Sequence, residues 1–250
     1  MRTERRTFLD VGFDVAPMNQ LIPQIAEFGA ESPYAYLVTP NVDHLVRLHR
    51  QDPATPGLAE IYREARFCTC DSKVLARLAK WRGVDLPVVP GSDITPILFD
   101  RVIRAGDRIA IVGGNDALLS SLKAAFPDVN FTQHQPPMGL MANSTARRKA
   151  AEFIAGQKSR FTFVCVGSPQ QELIAAEAAK IEGCSGLALC VGAALDFITG
   201  SQKRAPRLAR RLGLEWAHRL LTNPRRMWRR YLVEGPAIFL LAYRWRRSAA

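Results

Sequence analysis

No stretch of these 250 residues reaches the ~18 consecutive apolar positions that a membrane-spanning helix needs. The longest late candidate, Pro236-Ala-Ile-Phe-Leu-Leu-Ala-Tyr243, is too short and ends at Arg244. The first ten residues carry charge but no apolar core segment, so a secretory leader is not expected. Cysteine is sparse and odd in number: Cys68, Cys70, Cys165, Cys184 and Cys190, three of them in apolar strand-like runs. That pattern excludes a disulfide scaffold and fits buried thiols in a reducing compartment. Histidine is not clustered either, and Cys68-Thr-Cys70 has no histidine partners, so neither a metal site nor a cofactor is expected. A Ser/His/Asp order is missing. The glycine fingerprint of a dinucleotide fold is incomplete: Gly113-Gly114-Asn115 follows Ile109–Val112 but lacks the third glycine and the acid expected ~20 residues on. This argues against a nicotinamide-dependent oxidoreductase and leaves a tight strand-to-helix turn that can still face a nucleotide.

The last fifth of the chain lacks acid. Residues 201–250 hold 13 Lys and Arg against 2 Asp and Glu, so they carry the whole formal charge of +11 and leave residues 1–200 neutral. The asymmetry predicts a body, 1–200, that does chemistry and a basic helical appendage, 201–250, that meets something anionic. Asn223-Pro224 reads as a helix start. Arg225 and Arg226 then lie in a first turn, where the helix dipole disfavours cations. Arg225/Arg229 and Arg226/Arg230 are like-charge pairs at i,i+4, each costing a few tenths of a kcal/mol. Charge set against local helix stability fits an anionic partner; a solvated basic face is the plain alternative. Nucleic acid would also explain the charge, but no nucleic-acid motif accompanies it and the body is neutral.

Short apolar runs, each leading into a helix, account for the rest. Expected strands are Phe8–Val15, Tyr34–Val38, Phe67–Cys70, Pro87–Pro90, Arg108–Val112, Arg160–Val166 and Leu187–Val191. Expected helices run over Gln20–Phe28, from Asn41 to about Arg50, Val74–Trp81, from Gly91 to about Arg104, to Phe126, and from Gly167 to about Glu182. Runs without polar alternation predict an α/β fold with a Rossmann-like parallel sheet and helices on both faces. Such sheets bind ligands at the carboxyl ends of their strands, where the polar turns of this chain stand.

Among those turns, Ser168-Pro169-Gln170-Gln171 has the form of a capping box, or of a phosphate or sugar site at a helix's positive end. Asp71, Asp93 and Asp196 each follow an expected strand, where an acid serves as general base or as helix cap. His44 at N3 of its helix suits packing or capping better than catalysis.

Taken together, Thr39-Pro-Asn41-Val-Asp-His, Asp71 opening a helix, Gly91-Ser-Asp93, Gly167-Ser-Pro-Gln-Gln-Glu172, Val191-Gly-Ala-Ala-Leu-Asp-Phe197, Gly200-Ser-Gln-Lys-Arg-Ala-Pro206 and Leu214–Leu232 resemble the WecG/TagA/CpsF glycosyltransferases in unbroken order. The resemblance implies inverting, metal-independent transfer of a hexose or N-acetylhexosamine. The donor is a UDP-sugar and the acceptor a polyprenyl-diphosphate-linked sugar, in cell-surface polysaccharide or teichoic-acid assembly. It implies a cytoplasmic enzyme peripheral on the inner, anionic face of the cell membrane, with homo-oligomers possible. By position, Asp71 matches the family's general base, Thr39 and Asn41 its pocket loop, and Gln171 a glutamine near the donor. Gly91, Asp93, Gly113, Gly167, Gly192 and Asp196 fall in the substrate-binding turns. Arg204, Arg219, Arg225, Arg226 and Arg229 fall in the basic end that closes over the site and holds diphosphate. Ser72 and Gln170 depart from the family's usual Gly and Lys, and Gln133–Leu140 resembles the exopolysaccharide-type members.

Overall fold

The computed structural model describes residues 4–50, 57–202 and 204–246. The chain opens with a hairpin, β1 (Arg5–Phe8) and β2 (Val11–Asp14), in place of the single strand expected over Phe8–Val15. Leu9 and Asp10 both take positive φ (48° and 60°), the two-residue turn whose twist suits a hairpin. Next come α1 (Met18–Ala26), β3 (Ala35–Val38), α2 (Val42–His49), α3 (Leu58–Glu64), β4 (Phe67–Cys68), α4 (Lys73–Trp81) and α5 (Gly91–Arg101). Then β5 (Arg108–Val112), α6 (Asp116–Ala125), β6 (Asn130–His134), α7 (Ser144–Gln157), β7 (Phe161–Val164), α8 (Gln170–Ala178), β8 (Leu187–Cys190) and α9 (Ala194–Ile198) complete the body. Helices α3 and α7 were not anticipated from sequence. The strand expected at Pro87–Pro90 is a single bridge, Cys70 to Val88, because prolines at both ends remove ladder donors.

The six strands β4-β3-β8-β7-β5-β6 form one sheet, parallel throughout. Alternate residues of each strand feed two cores: Tyr36, Val38, Val164 and Cys190 on one face, Leu37, Phe163 and Leu189 on the other. Both faces are covered, which is why these strands read as continuous apolar runs. The β4 edge is shielded by the hairpin, where the buried Asp14 accepts a hydrogen bond from the Cys68 amide (2.6 Å).

After α9 the chain forms a strap: α10 (Arg207–Leu212), α11 (Glu215–Thr222), α12 (Pro224–Trp228) and a π-helical segment, Arg229–Glu234. A last helix, α13 (Ala237–Arg244), returns to the body. Neither α11 nor the π-helical segment buries a residue. Ile238 and Ala242 of α13, by contrast, lie in the same core as Tyr36 and Val38, and Phe8 packs edge-on against Trp245 at 5.1 Å. The strap is therefore held at both ends. Ala205 is buried at the near end, and α13 packs on α2 and α4 at the far end. No helix among the described residues is long and apolar enough to cross a membrane.

Candidate active site

At the carboxyl end of β4, the Asp71 amide donates to the Pro40 carbonyl (3.0 Å), joining the loops that leave β3 and β4. The helix that follows is capped by Ser72, whose Oγ accepts from the Leu75 amide (3.2 Å). Asp71 is thus released from capping. Its carboxylate looks into a cavity of about 840 Å³ between this sheet edge and the strap.

Asn41 caps α2: its Oδ1 accepts from the Asp43 amide (3.0 Å), and its own amide donates to His44 Nδ1 (2.9 Å). Burial holds the His44 pKa down to about 3, so the ring is neutral and Nδ1 is free to accept. His44 is a capping residue, as its place in the sequence indicated.

The cavity wall carries the cations Lys73, Arg204, Arg210, Arg211, Arg219 and Arg230 against the acids Asp43, Asp71, Asp93 and Glu215. That leaves an excess of two positive charges when all ten are ionised, which suits a dianionic group. Arg204 donates to Ser92 Oγ (2.8 Å) and to Asp93, and Arg210 stands 3.8 Å from the same carboxylate. Arg219 pairs with Glu215 at 3.1 Å. Burial works to lower the Arg219 pKa, but Glu215 and Asp71 outweigh it and raise the value. The Nε atoms of Arg204, Arg210 and Arg230 are buried and have no hydrogen-bond partner among the described residues. Each of the three is closed to solvent, so it is an unsatisfied donor inside the wall rather than an edge open to the cavity.

Asp71 titrates near neutrality in this setting. Burial is the main cause, raising its pKa to about 7; Glu215 and Asp93 push in the same direction, while Arg219 and Arg204 oppose them. A carboxylate poised there is half ionised at neutral pH and can accept a proton from a hydroxyl. Val74, Trp216, Tyr231, Ile238 and Phe239 add apolar surface to the same wall.

The sequence-expected residues divide into those at the cavity and those behind it. Asp71, Asn41, Asp93, Arg204 and Arg219 line it. Thr39 is buried behind the wall and donates to the Cys190 carbonyl (3.2 Å), tying the ends of β3 and β8. Gln171 is also buried. Its Oε1 accepts from the Gly192 amide (3.0 Å) and its Nε2 donates to Glu172 (2.9 Å) and to the Cys190 carbonyl (3.3 Å). The capping box expected at Ser168 does not form: the peptide before Pro169 is cis, Pro169 occupies the cap position, and Ser168 Oγ accepts from Arg47 (3.1 Å) instead. Asp93 does not cap α5; Pro90 precedes that helix and Asp93 is given over to Arg204.

Gly91 serves close packing, since a Cβ there would stand 2.9 Å from Val191 Cγ1. Gly113, at φ 97°, turns the chain after β5 against Cys165 and Val166. Neither Gly113, Gly167, Gly192 nor Asp196 lines the large cavity. Asp196, its pKa raised by burial, accepts from the Gln202 side chain (3.0 Å). Asn223 does precede a helix begun by Pro224, though its side chain makes no cap bond. Arg225 and Arg229 are exposed away from the cavity, and Arg229 pairs with Glu234 at 3.2 Å. The Arg226 side chain lies outside the described residues.

Sequence reading missed Asp43, Arg210, Glu215 and Arg230. Arg230 had one available signal, its unfavourable i,i+4 pairing with Arg226. It lies in the π-helical segment, a local device that no side-chain pattern announces.

Compared with known families, residues 6–250 match the one described as the Glycosyl transferase WecG/TagA/CpsF family.

Proposed function

Because the chain belongs to the WecG/TagA/CpsF glycosyltransferase family, we propose that it moves a hexose or N-acetylhexosamine from a UDP-sugar to a polyprenyl-diphosphate-linked sugar, with Asp71 as general base. The observation that carries this reading is a carboxylate titrating near 7 inside a cavity roofed by arginines. The Asp71 carboxylate takes the proton of the acceptor hydroxyl. The acceptor oxygen bonds to the anomeric carbon from the face opposite the diphosphate, and the carbon–oxygen bond to UDP breaks with inversion. The departing diphosphate gathers charge as that bond lengthens, and the guanidinium groups of the cavity-lining Arg204, Arg210 and Arg230 meet it. The resemblance makes the reaction metal-independent, so guanidinium groups carry the electrostatic load. Thr39 and Gln171 serve this chemistry from behind, by fixing the loops after β3 and β8.

The product belongs to cell-surface polysaccharide assembly, and the lipid acceptor requires work at a membrane surface. Support for that placement comes from the outer side of the strap and α13. There Leu221, Trp228, Leu232, Val233, Leu240 and Tyr243 are exposed among Arg225, Arg229, Arg244 and Arg246. Amphipathic segments of this kind lie in the headgroup layer, with each basic residue adding ~1 kcal/mol on anionic lipid. The apolar part of the cavity wall suits the first isoprene units of the acceptor.

The deciding experiment is UDP release from a panel of UDP-sugars, with a short-chain polyprenyl-diphosphate-GlcNAc acceptor and EDTA present. Acceptor-dependent release from one donor is expected. No release with either a GlcNAc-primed or a glucose-primed lipid would refute the assignment.

A further inference from the structure

The strap closes the cavity without burying apolar side chains on α11 or the π-helical segment, so polar ties must set how often it is shut. At the far end one body residue dominates. Asp43, in the first turn of α2, has a side chain only 13% exposed. Its Oδ2 accepts from Arg47 Nη2 (2.6 Å) and stands 3.3 Å from Arg230 Nη2, a cation brought from the other end of the chain. Arg230 Nη2 also reaches Asn41 Oδ1 at 3.5 Å. Arg47 is fastened in turn to Ser168 (3.1 Å), so Asp43 stands on a braced base. The neighbouring tie from Arg50 to Glu234, at 3.6 Å, is more exposed and screened by solvent. Arg47 alone already neutralises Asp43. A second guanidinium on the same oxygen is not needed for the fold of α2, but it fixes the direction of Arg230, which lines the cavity.

We infer that Asp43 is a positioning residue that latches the strap: by holding Arg230 against α2 it closes the cavity and keeps that guanidinium in the cavity wall, beside the anionic group of the substrate. This rests on the glycosyltransferase reading of the cavity. The latch sets the fraction of molecules that are closed before substrate arrives. Weakening it multiplies the apparent donor KM by the loss in that fraction and leaves the chemical step nearly intact. An ion pair at 3.3 Å between side chains 30% and 13% exposed corresponds to a change of up to about tenfold.

The test uses the full chain with Asp43→Asn, Arg230→Gln, the double variant and Arg47→Gln. Amide hydrogen exchange over residues 215–234 is measured without ligand and with UDP, and donor KM and kcat are measured separately. Asp43→Asn is expected to raise donor KM about tenfold with kcat within a few-fold; Arg230→Gln, which also removes a group from the leaving diphosphate, should raise KM and lower kcat. Both should speed strap exchange with or without UDP, and the double variant is expected to be no worse than Arg230→Gln alone. Unchanged strap exchange in Asp43→Asn, losses that multiply in the double variant, or an Arg47→Gln variant that reproduces Asp43→Asn in full would each overturn the latch. Arg230→Gln, on the strap itself, decides the matter if Asp43→Asn lowers the melting temperature. If the wild-type chain transfers no sugar, the functional reading fails, and the exchange data still decide the latch.

Discussion

Asp71 and Ser72, adjacent at the start of α4, divide two duties that a single acid often combines. Ser72 Oγ accepts from the Leu75 amide at 3.2 Å and caps the helix, while the Asp71 carboxylate makes no side-chain hydrogen bond to any described residue and faces the cavity. Catalysis and helix stability are therefore separable here.

Replacing Asp71 by Asn is expected to lower UDP release by ~10²–10⁴-fold, the usual contribution of a general base. The melting temperature should not fall, because the cap is Ser72. An Asp71→Asn variant within tenfold of wild type in UDP release would remove Asp71 from the mechanism.

The raised pKa of Asp71 also predicts opposite trends for activity and stability. The base is ionised only above its folded pKa of about 7, so kcat/KM should rise through that region. A carboxyl whose folded pKa exceeds its unfolded value contributes its full stability below about pH 4, and that contribution is lost as pH rises through 7. Asp71→Asn removes this penalty. The variant should gain about 1–2 kcal/mol relative to wild type at pH 8 compared with pH 4, after allowing for cavity water. Urea unfolding at the two pH values measures the difference.

Strap arginines should separate by the side they face. Arg210→Gln and Arg219→Gln are expected to weaken the UDP-sugar interaction, read as a higher donor KM with soluble acceptor. Arg225→Gln and Arg229→Gln should leave that KM alone and reduce binding to vesicles containing anionic lipid by ~1 kcal/mol each, an effect that fades as salt rises. Co-sedimentation at two salt concentrations distinguishes the groups.

Neighbours on α13 should behave as differently. Ile238 is 1% exposed and Phe239 is 56% exposed. Ile238→Ala should cost ~2–4 kcal/mol in denaturant unfolding, as a core truncation. Phe239→Ala should be nearly neutral there and, because Phe239 lines the cavity, raise the acceptor KM.

Gln171→Ala would remove the bonds that Gln171 makes to the Gly192 amide and to Glu172 Oε1, while the Cys190 carbonyl keeps Thr39. A loss of ~1–3 kcal/mol is expected, together with slower turnover as the loop after β8 relaxes. Thermal unfolding with a parallel rate measurement checks both.

Much of the scaffold was legible because its signals are local. The runs Arg108–Val112 and Leu187–Cys190 lack polar alternation, and that alone implied a sheet covered on both faces. The cap at Asn41 with His44 three residues on was visible for the same reason. The first strand was misread because Leu9 and Asp10 carry no glycine to announce a left-handed turn. Pro87–Pro90 was misread because apolar content outweighed two missing amide donors.

The sequence by itself determined the parallel α/β scaffold, the placing of Asp71 at a strand's end, and the concentration of charge in residues 201–250. Each follows from side-chain type and short-range spacing. Tertiary structure decided which arginines face inward. Arg230 meets Asp43 across 187 positions and Arg204 meets Asp93 across 111, while Arg225 and Arg229 look away. Identical side chains at adjacent positions, Arg229 and Arg230, acquire opposite roles because a guanidinium's partner is fixed by three-dimensional approach, and no local pattern encodes that approach.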